Sequence, residues 1–250
     1  MRFNKVVLIV ALAAVISASA PANAHFPVTL TQSHSAMSRS PILVDGTISF
    51  AVYADFSKAQ EQRYFRFALR ANEELNLEYL ILDQAPSNKL KNSQLPKVVV
   101  TSPTGKKITL SIKERTPFFE PFGKKKYLYL ARLTRTGEAG IYTMTATSQA
   151  RSSIVVAIGR TETRGDVLQV GSMRGECPLL LKQESEITQV RANQLVGMPE
   201  RAAEVCSAVV KWSYRVGERD GEPFAVTMDY RPDRVTVSVQ DGTISSVTVG

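Results

Sequence analysis

From residue 47 to residue 158, apolar side chains recur at every second position in short runs broken by turn residues. A period of two marks strands with one buried face. Eight runs carry it: Thr47–Tyr53, Arg63–Leu69, Leu75–Ile81, Lys97–Thr101, Ile108–Ile112, Tyr127–Leu133, Ile141–Thr147 and Ser153–Ile158. The breaks hold Ser102-Pro103-Thr104-Gly105, Pro121-Phe122-Gly123 and Thr136-Gly137-Glu138-Ala139-Gly140, all turn chemistry. Strands at this spacing predict a mainly β protein. Its N-terminal unit, residues 25–165, is expected to be a β-sandwich of jelly-roll type.

Composition narrows the chemistry. Two Cys and two His in 250 residues exclude a multi-Cys zinc site, an iron–sulfur cluster and a disulfide-dense scaffold. The first 24 residues read as a signal peptide. Arg2 and Lys5 form a positive start, Val6 to Ser17 is nearly unbroken apolar sequence, and Ala22-Asn23-Ala24 is a small-x-small cleavage signal. The mature chain then begins at His25 and is expected to be exported, periplasmic or secreted. No later apolar run approaches the roughly 18 residues a transmembrane helix needs.

Removal of Arg2 and Lys5 lowers the formal charge from +8 by two. Lys106-Lys107 and Lys124-Lys125-Lys126 are the densest basic runs. A cationic patch can attract polyanions, but no aromatic pattern for base stacking accompanies these lysines, and nucleic acid is not an expected partner. They read as solvated loop lysines between strands. An oxidising compartment permits a Cys177–Cys206 disulfide, and Cys206 also reads as a small core residue of a helix.

The strand at Tyr64–Leu69, the Ser102-Pro103-Thr104-Gly105 turn and Gly140-Ile141-Tyr142 give residues 25–165 a weak resemblance to the pre-peptidase C-terminal type of β-sandwich. Such domains are accessory binding modules, so the resemblance implies a surface ligand and no chemistry. Residues 166–189, with Gly171 and Gly175, read as a linker or domain edge. Beyond them the grammar changes. Pro199 and Glu200 open a predicted helix running to Val209, with Ala202, Val205, Cys206 and Val209 on its buried face. Residues 210–216 and 235–239 read as strands. Asp241-Gly242 is a hairpin turn, and 244–249 is the return strand. Residues 190–250 therefore predict a small α+β domain with one helix on a small sheet.

The segment Ala225-Val226-Thr227-Met228-Asp229-Tyr230-Arg231-Pro232-Asp233-Arg234-Val235 is followed by a glycine turn and a final Gly250, and preceded by Val196-Gly197 and the helix. In this order the elements resemble peptidase inhibitor family seventy-eight and the related potato-inhibitor-I (eglin) group of serine peptidase inhibitors. The resemblance implies that Val226, Thr227, Met228, Asp229, Tyr230 and Arg231 form a substrate-like reactive loop. It implies that Met228–Asp229 is the scissile bond, with Met228 entering the primary specificity pocket. Arg234 and Gly250 would support the loop from beneath. The expected partner is a subtilisin-like or chymotrypsin-like serine peptidase, since an unbranched apolar Met suits an open hydrophobic pocket. Two residues depart from the pattern. Val249 stands where many members carry a bridging Cys, and Thr236 stands where eglin-type chains place a second supporting Arg.

Other chemistries have less sequence support. His25 at the mature terminus, with His34, invites a copper site, but His34 lies in a segment without strand pattern, and no metal or cofactor is expected. With His only at positions 25 and 34, no nucleophile–base pattern is recognisable, so no enzyme is expected. The alternative is a binding or adhesion protein whose sandwich carries the function and whose C-terminal module is a non-inhibitory interaction domain.

Overall fold

A computed structural model describes residues 25–169, 177 and 187–250. The expected signal segment, residues 1–24, lies outside the described residues, as does most of the expected linker, 170–176 and 178–186. The fold is mainly β, as the alternation predicts. Twelve strands build the N-terminal part: β1 (Phe26–Leu30), β2 (Ile42–Leu43), β3 (Phe50–Phe56), β4 (Gln62–Leu69), β5 (Glu74–Leu82), β6 (Lys97–Thr101), β7 (Lys107–Thr109), β8 (Thr116–Glu120), β9 (Lys125–Thr136), β10 (Gly140–Thr147), β11 (Ser152–Ile158) and β12 (Val167–Leu168). They form two six-stranded sheets, ordered β1-β3-β11-β5-β9-β8 and β12-β2-β4-β10-β6-β7. Val167–Leu168 falls within the stretch read as a linker, yet it pairs with Ile42–Leu43 in the second sheet.

The inner faces of the two sheets supply one apolar cluster, including Phe50, Phe65, Phe67, Leu77, Ile81, Leu130 and Tyr142, all fully buried. Phe67 and Tyr142 are directly opposed across β4 and β10 and stack at 5.0 Å, the cross-strand pairing that stabilises a sheet face. The buried Tyr79 hydroxyl donates to the Pro96 carbonyl at 2.8 Å, so its polar atom is satisfied.

Local chemistry explains where strands differ from the alternation. The run at Thr47 enters β3 only at Phe50, because the Asp45 carboxylate accepts from the Thr47 amide (2.9 Å) and hydroxyl (2.7 Å) and turns the chain there. β1 and β8 were not expected. Each contains a proline, Pro27 and Pro117, which argues against a strand in sequence. Both are edge strands of the first sheet, where a missing N–H costs no ladder bond.

The C-terminal part contains α1 (Gln189–Ala192), α2 (Glu200–Val209), β13 (Ser213–Arg219), β14 (Glu222–Pro223), β15 (Arg234–Gln240) and β16 (Thr243–Val249), the strands ordered β14-β13-β15-β16. α2 has the predicted bounds. α1 is a second, short helix, started by the Thr188 hydroxyl accepting from the Arg191 amide. Asp241 (φ 49°) and Gly242 (φ 70°) both take the left-handed conformation at the β15–β16 hairpin, as a two-residue turn between twisted strands requires. No helix among the described residues is long and apolar enough to cross a membrane.

The burial of α2 is wider than its single predicted face. Ala203 and Ser207 are buried along with Ala202, Val205 and Cys206, whereas Val209 is half-buried. The reason is that α2 lies between two sheets. Ile42, Val44, Ala68 and Leu168 of the sandwich share one apolar cluster with α2 and with Val235, Val237 and Ile244 of the third sheet. Cys206 forms a disulfide with Cys177, Cα–Cα 5.3 Å.

Charge ties the two parts together at the margin of this cluster. Arg201 of α2 grips the Glu73 carboxylate with both terminal nitrogens, at 2.8 and 2.7 Å, and approaches Asp45 at 3.0 Å. Arg70 bonds Glu204 at 2.6 Å. Burial alone would raise the Glu73 carboxyl; the Arg201 hydrogen bonds, the Arg70 amide and the two guanidinium charges outweigh it and hold it below its ordinary value. A depressed pKa stabilises the fold above the unfolded value and loses that contribution as pH falls through the folded value. Arg201→Met should therefore cost about 1–2 kcal/mol at neutral pH, read as a lower urea midpoint. The gap from the parent protein should close on acidification. A gap that stays constant down to about pH 2 rules the bridge out as its source.

Candidate functional site

The segment 224–233, between β14 and β15, lies outside any strand or helix on the rim of the third sheet. Its flanks are held and its crest is bare. At the leading flank the Phe224 amide donates to the Gly217 carbonyl at 2.8 Å, and the Arg219 guanidinium lies over the Phe224 ring at 5.6 Å. At the trailing flank Arg231 pairs with Asp233 at 2.8 Å, and the Ser213 amide donates to the Asp233 carbonyl at 2.8 Å. Val226 is half-buried, whereas Thr227, Asp229, Tyr230 and Arg231 are exposed. Met228 is 97% exposed.

Beneath the crest stands Arg234, the first residue of β15 and only 6% exposed. Its guanidinium donates to the Asp229 main-chain carbonyl and, at 3.3 Å, to the Asp229 carboxylate. Its Nε donates to the Gly250 carbonyl at 3.1 Å, while the Gly250 amide donates back to the Arg234 carbonyl at 2.9 Å. One buried cation thus joins the crest of the loop to the end of β16. Gly250 (φ 127°) also carries the Tyr230 ring, and a Cβ there would sit 2.8 Å from that ring. Any larger residue would displace Tyr230. The Asp229 carboxyl is held below its ordinary value by the Thr227 hydroxyl and by the Arg234 charge.

The resemblance leads to the expectation of a supporting arginine where Thr236 stands. The structure places Arg215 there. β13 and β15 pair in parallel, with Arg215 in register with Thr236. The Arg215 guanidinium donates to the Thr236 hydroxyl at 2.9 and 3.2 Å and reaches the Thr227 carbonyl at 3.1 Å and its hydroxyl at 3.3 Å. Thr236 in turn donates to the Gly250 carbonyl at 3.0 Å. Arg234, Thr236 and Arg215 share one sheet face because side chains alternate along β15 and register aligns β13 beside it. Finding Arg215 from sequence would have required knowing that β13 lies parallel to β15. The last strand is held near Val249 as well, where the resemblance leads to the expectation of a cysteine. The Gln189 carboxamide of α1 donates to the Val247 carbonyl (2.8 Å) and accepts from the Val249 amide (3.2 Å), holding the last strand.

The two histidines are engaged separately. His25 pairs through Nδ1 with the Ser49 hydroxyl, and His34 Nδ1 accepts from the Thr31 amide at 2.9 Å. Burial, then the Arg63 and Arg39 charges, lower the His34 pKa. On the outer face of the first sheet, Tyr53, Phe118, Tyr127 and Tyr129 wall a shallow hollow of about 30 Å³ floored by Ala51, Val155 and Ala157. Burial and the neighbouring Glu78 charge push Tyr129 up to about 12.

No protein-family model matches the chain, and no curated protein matches it. Among solved structures, 57% of the chain is similar to 17% of a family GH115 4-O-methyl-alpha-glucuronidase, BtGH115A, described as specific for decorated arabinogalactans. The identity is 10% and the TM-score 0.26. A likeness at that level carries no argument about fold or activity.

Proposed function

We propose that this protein is an exported serine peptidase inhibitor that offers residues 226–231 to a peptidase cleft as a substrate. The observation that carries the reading is the contrast at one loop: a side chain 97% exposed at Met228, next to a main-chain carbonyl gripped from below by an arginine that is 6% exposed. A disordered surface loop has no such support, and an ordinary packed turn hides its largest apolar side chain. Ordering the loop before association lowers the entropy cost of binding. Met228 then gains the burial it lacks in the free protein. Attack of the peptidase serine on the Met228 carbonyl would release the Asp229 amine. Arg234, holding both the Asp229 carbonyl and its carboxylate, keeps that amine beside the acyl group. Religation then competes with hydrolysis, and turnover is slow. The partner is a subtilisin-like or chymotrypsin-like enzyme with an open apolar pocket.

The test is incubation of the mature protein with subtilisin and with chymotrypsin, following residual activity over time and mapping any cut by mass spectrometry. Lasting inhibition is expected, with slow cleavage confined to Met228–Asp229. Met228→Gly should weaken it about 10–100-fold, the loss of one buried apolar side chain. Rapid cleavage without inhibition would show an exposed loop that is not an inhibitor. No effect on either enzyme would transfer the function to the sandwich.

A further inference from the structure

The β8–β9 hairpin presents two phenylalanines to solvent beside three consecutive lysines. Phe119 is 55% exposed and Phe122 59% exposed. Residues 121–126 are all exposed, including Lys124, Lys125 and Lys126. The strand alternation separates two faces. Phe118 and Tyr127, directly opposed, turn toward the walled hollow. Phe119 and Lys126, also directly opposed, lie on the other face. The aromatic at 118 is therefore used by the fold, whereas those at 119 and 122 are not.

The tip is ordered. Glu120 accepts from the Phe122 amide at 2.7 Å and from the Gly123 amide at 2.6 Å. A Cβ at Gly123 would come within 2.7 Å of that carboxylate. Lys124 takes a left-handed φ of 50° to complete the turn. The one acid of the tip is thus folded against backbone amides, and the side chains that project are apolar or cationic. β8 is an edge strand, but Pro117 removes one of its edge donors, which disfavours strand addition by a partner protein.

We infer that this hairpin is a docking element for an anionic lipid bilayer. Phe119 and Phe122 would enter the headgroup boundary, and Lys124, Lys125 and Lys126 would meet lipid phosphates. A small exposed apolar pair beside a run of lysines suits a soft interface better than the broad, flat patch a stable protein interface needs. Neither signal anchors a protein firmly by itself; an apolar insertion together with a basic cluster does. The inference is independent of the inhibitor loop and stands or falls without it.

The experiment is co-sedimentation of the full mature chain with vesicles of phosphatidylcholine alone and of phosphatidylcholine with phosphatidylglycerol. Binding is expected only to the anionic vesicles. Lys124→Gln, Lys125→Gln and Lys126→Gln together should weaken it about 100-fold, at roughly fivefold per lysine. Phe119→Ser with Phe122→Ser should weaken it about tenfold. All five positions are exposed, and thermal unfolding checks that each variant folds. Phe122→Trp should give a blue-shifted emission on anionic vesicles relative to the same protein in buffer. Failure to sediment with anionic vesicles would overturn the inference, as would binding that survives both variants. Binding lost with the lysines but kept without the phenylalanines would mean attraction to any polyanion, and it too would overturn it. An unshifted Phe122→Trp emission would do the same.

Discussion

Arg234→Ala is expected, on the proposed inhibitor function, to convert the protein from a lasting inhibitor of subtilisin into a substrate cut at Met228–Asp229. The side chain is buried and makes two charge-assisted hydrogen bonds to Asp229. The bond to the main-chain carbonyl is the stronger, since the Asp229 carboxylate faces solvent, and their joint loss should raise the inhibition constant about 10- to 100-fold. The same substitution removes a donor from the Gly250 carbonyl and frees Tyr230 from its seat on Gly250. Cleavage should accelerate along with the weakening, because the Asp229 amine is no longer held near the acyl group. Arg215→Ala should have a smaller effect of the same kind, about tenfold, since its bonds to the loop reach only the exposed Thr227. The measurement is the inhibition constant together with the rate of appearance of the cut chain. If Arg234→Ala inhibits as tightly as the parent, the loop is not supported by this arginine and the proposed mechanism is wrong.

Removing the Cys177–Cys206 disulfide by Cys177→Ala with Cys206→Ala should lower stability by about 3–4 kcal/mol, the chain-entropy value for a closed loop of this size. The sequence separation is 29 residues. Cys206 lies fully buried in α2, within the cluster shared by the sandwich and the third sheet. The bridge therefore fastens residue 177 to the helix around which both parts pack. Cys→Ala removes little volume, so the loss should come from the unfolded chain's regained freedom rather than from a cavity. Urea unfolding should show a lower midpoint. The inhibition constant should hardly move in native conditions, because Arg215 and Arg234 stand on β13 and β15 and not on α2. An unchanged midpoint would mean that the bridge contributes nothing. Lost inhibition at full folding would mean that α2 positions the loop.

Much of the fold was legible because its signals are local. β6 spans Lys97–Thr101 and α2 spans Glu200–Val209, as the alternation and the Pro199-Glu200 start predict. Asp241-Gly242 announces its hairpin because few residue pairs accept two left-handed conformations in succession. The loop residues and Arg234 were singled out by their order along the chain, and the structure brings Asp229, Arg234 and Gly250 together in hydrogen bonds.

What the sequence determined by itself, then, is whatever depends on neighbours a few residues apart: strand period, helix start, turn conformation and the order of the loop. What only the tertiary structure decided depends on partners far apart in the chain. β1 and β8 are strands despite Pro27 and Pro117 because each falls at a sheet edge, a position no local signal announces. α2 is buried on more than one face because the sandwich covers what its own sheet leaves open. Arg215 supports Thr227 only because a parallel register sets it beside Thr236, 21 residues further along the chain. Register is fixed by which faces bury together when the sheets assemble, so it is a property of the assembled sheet and not of either strand.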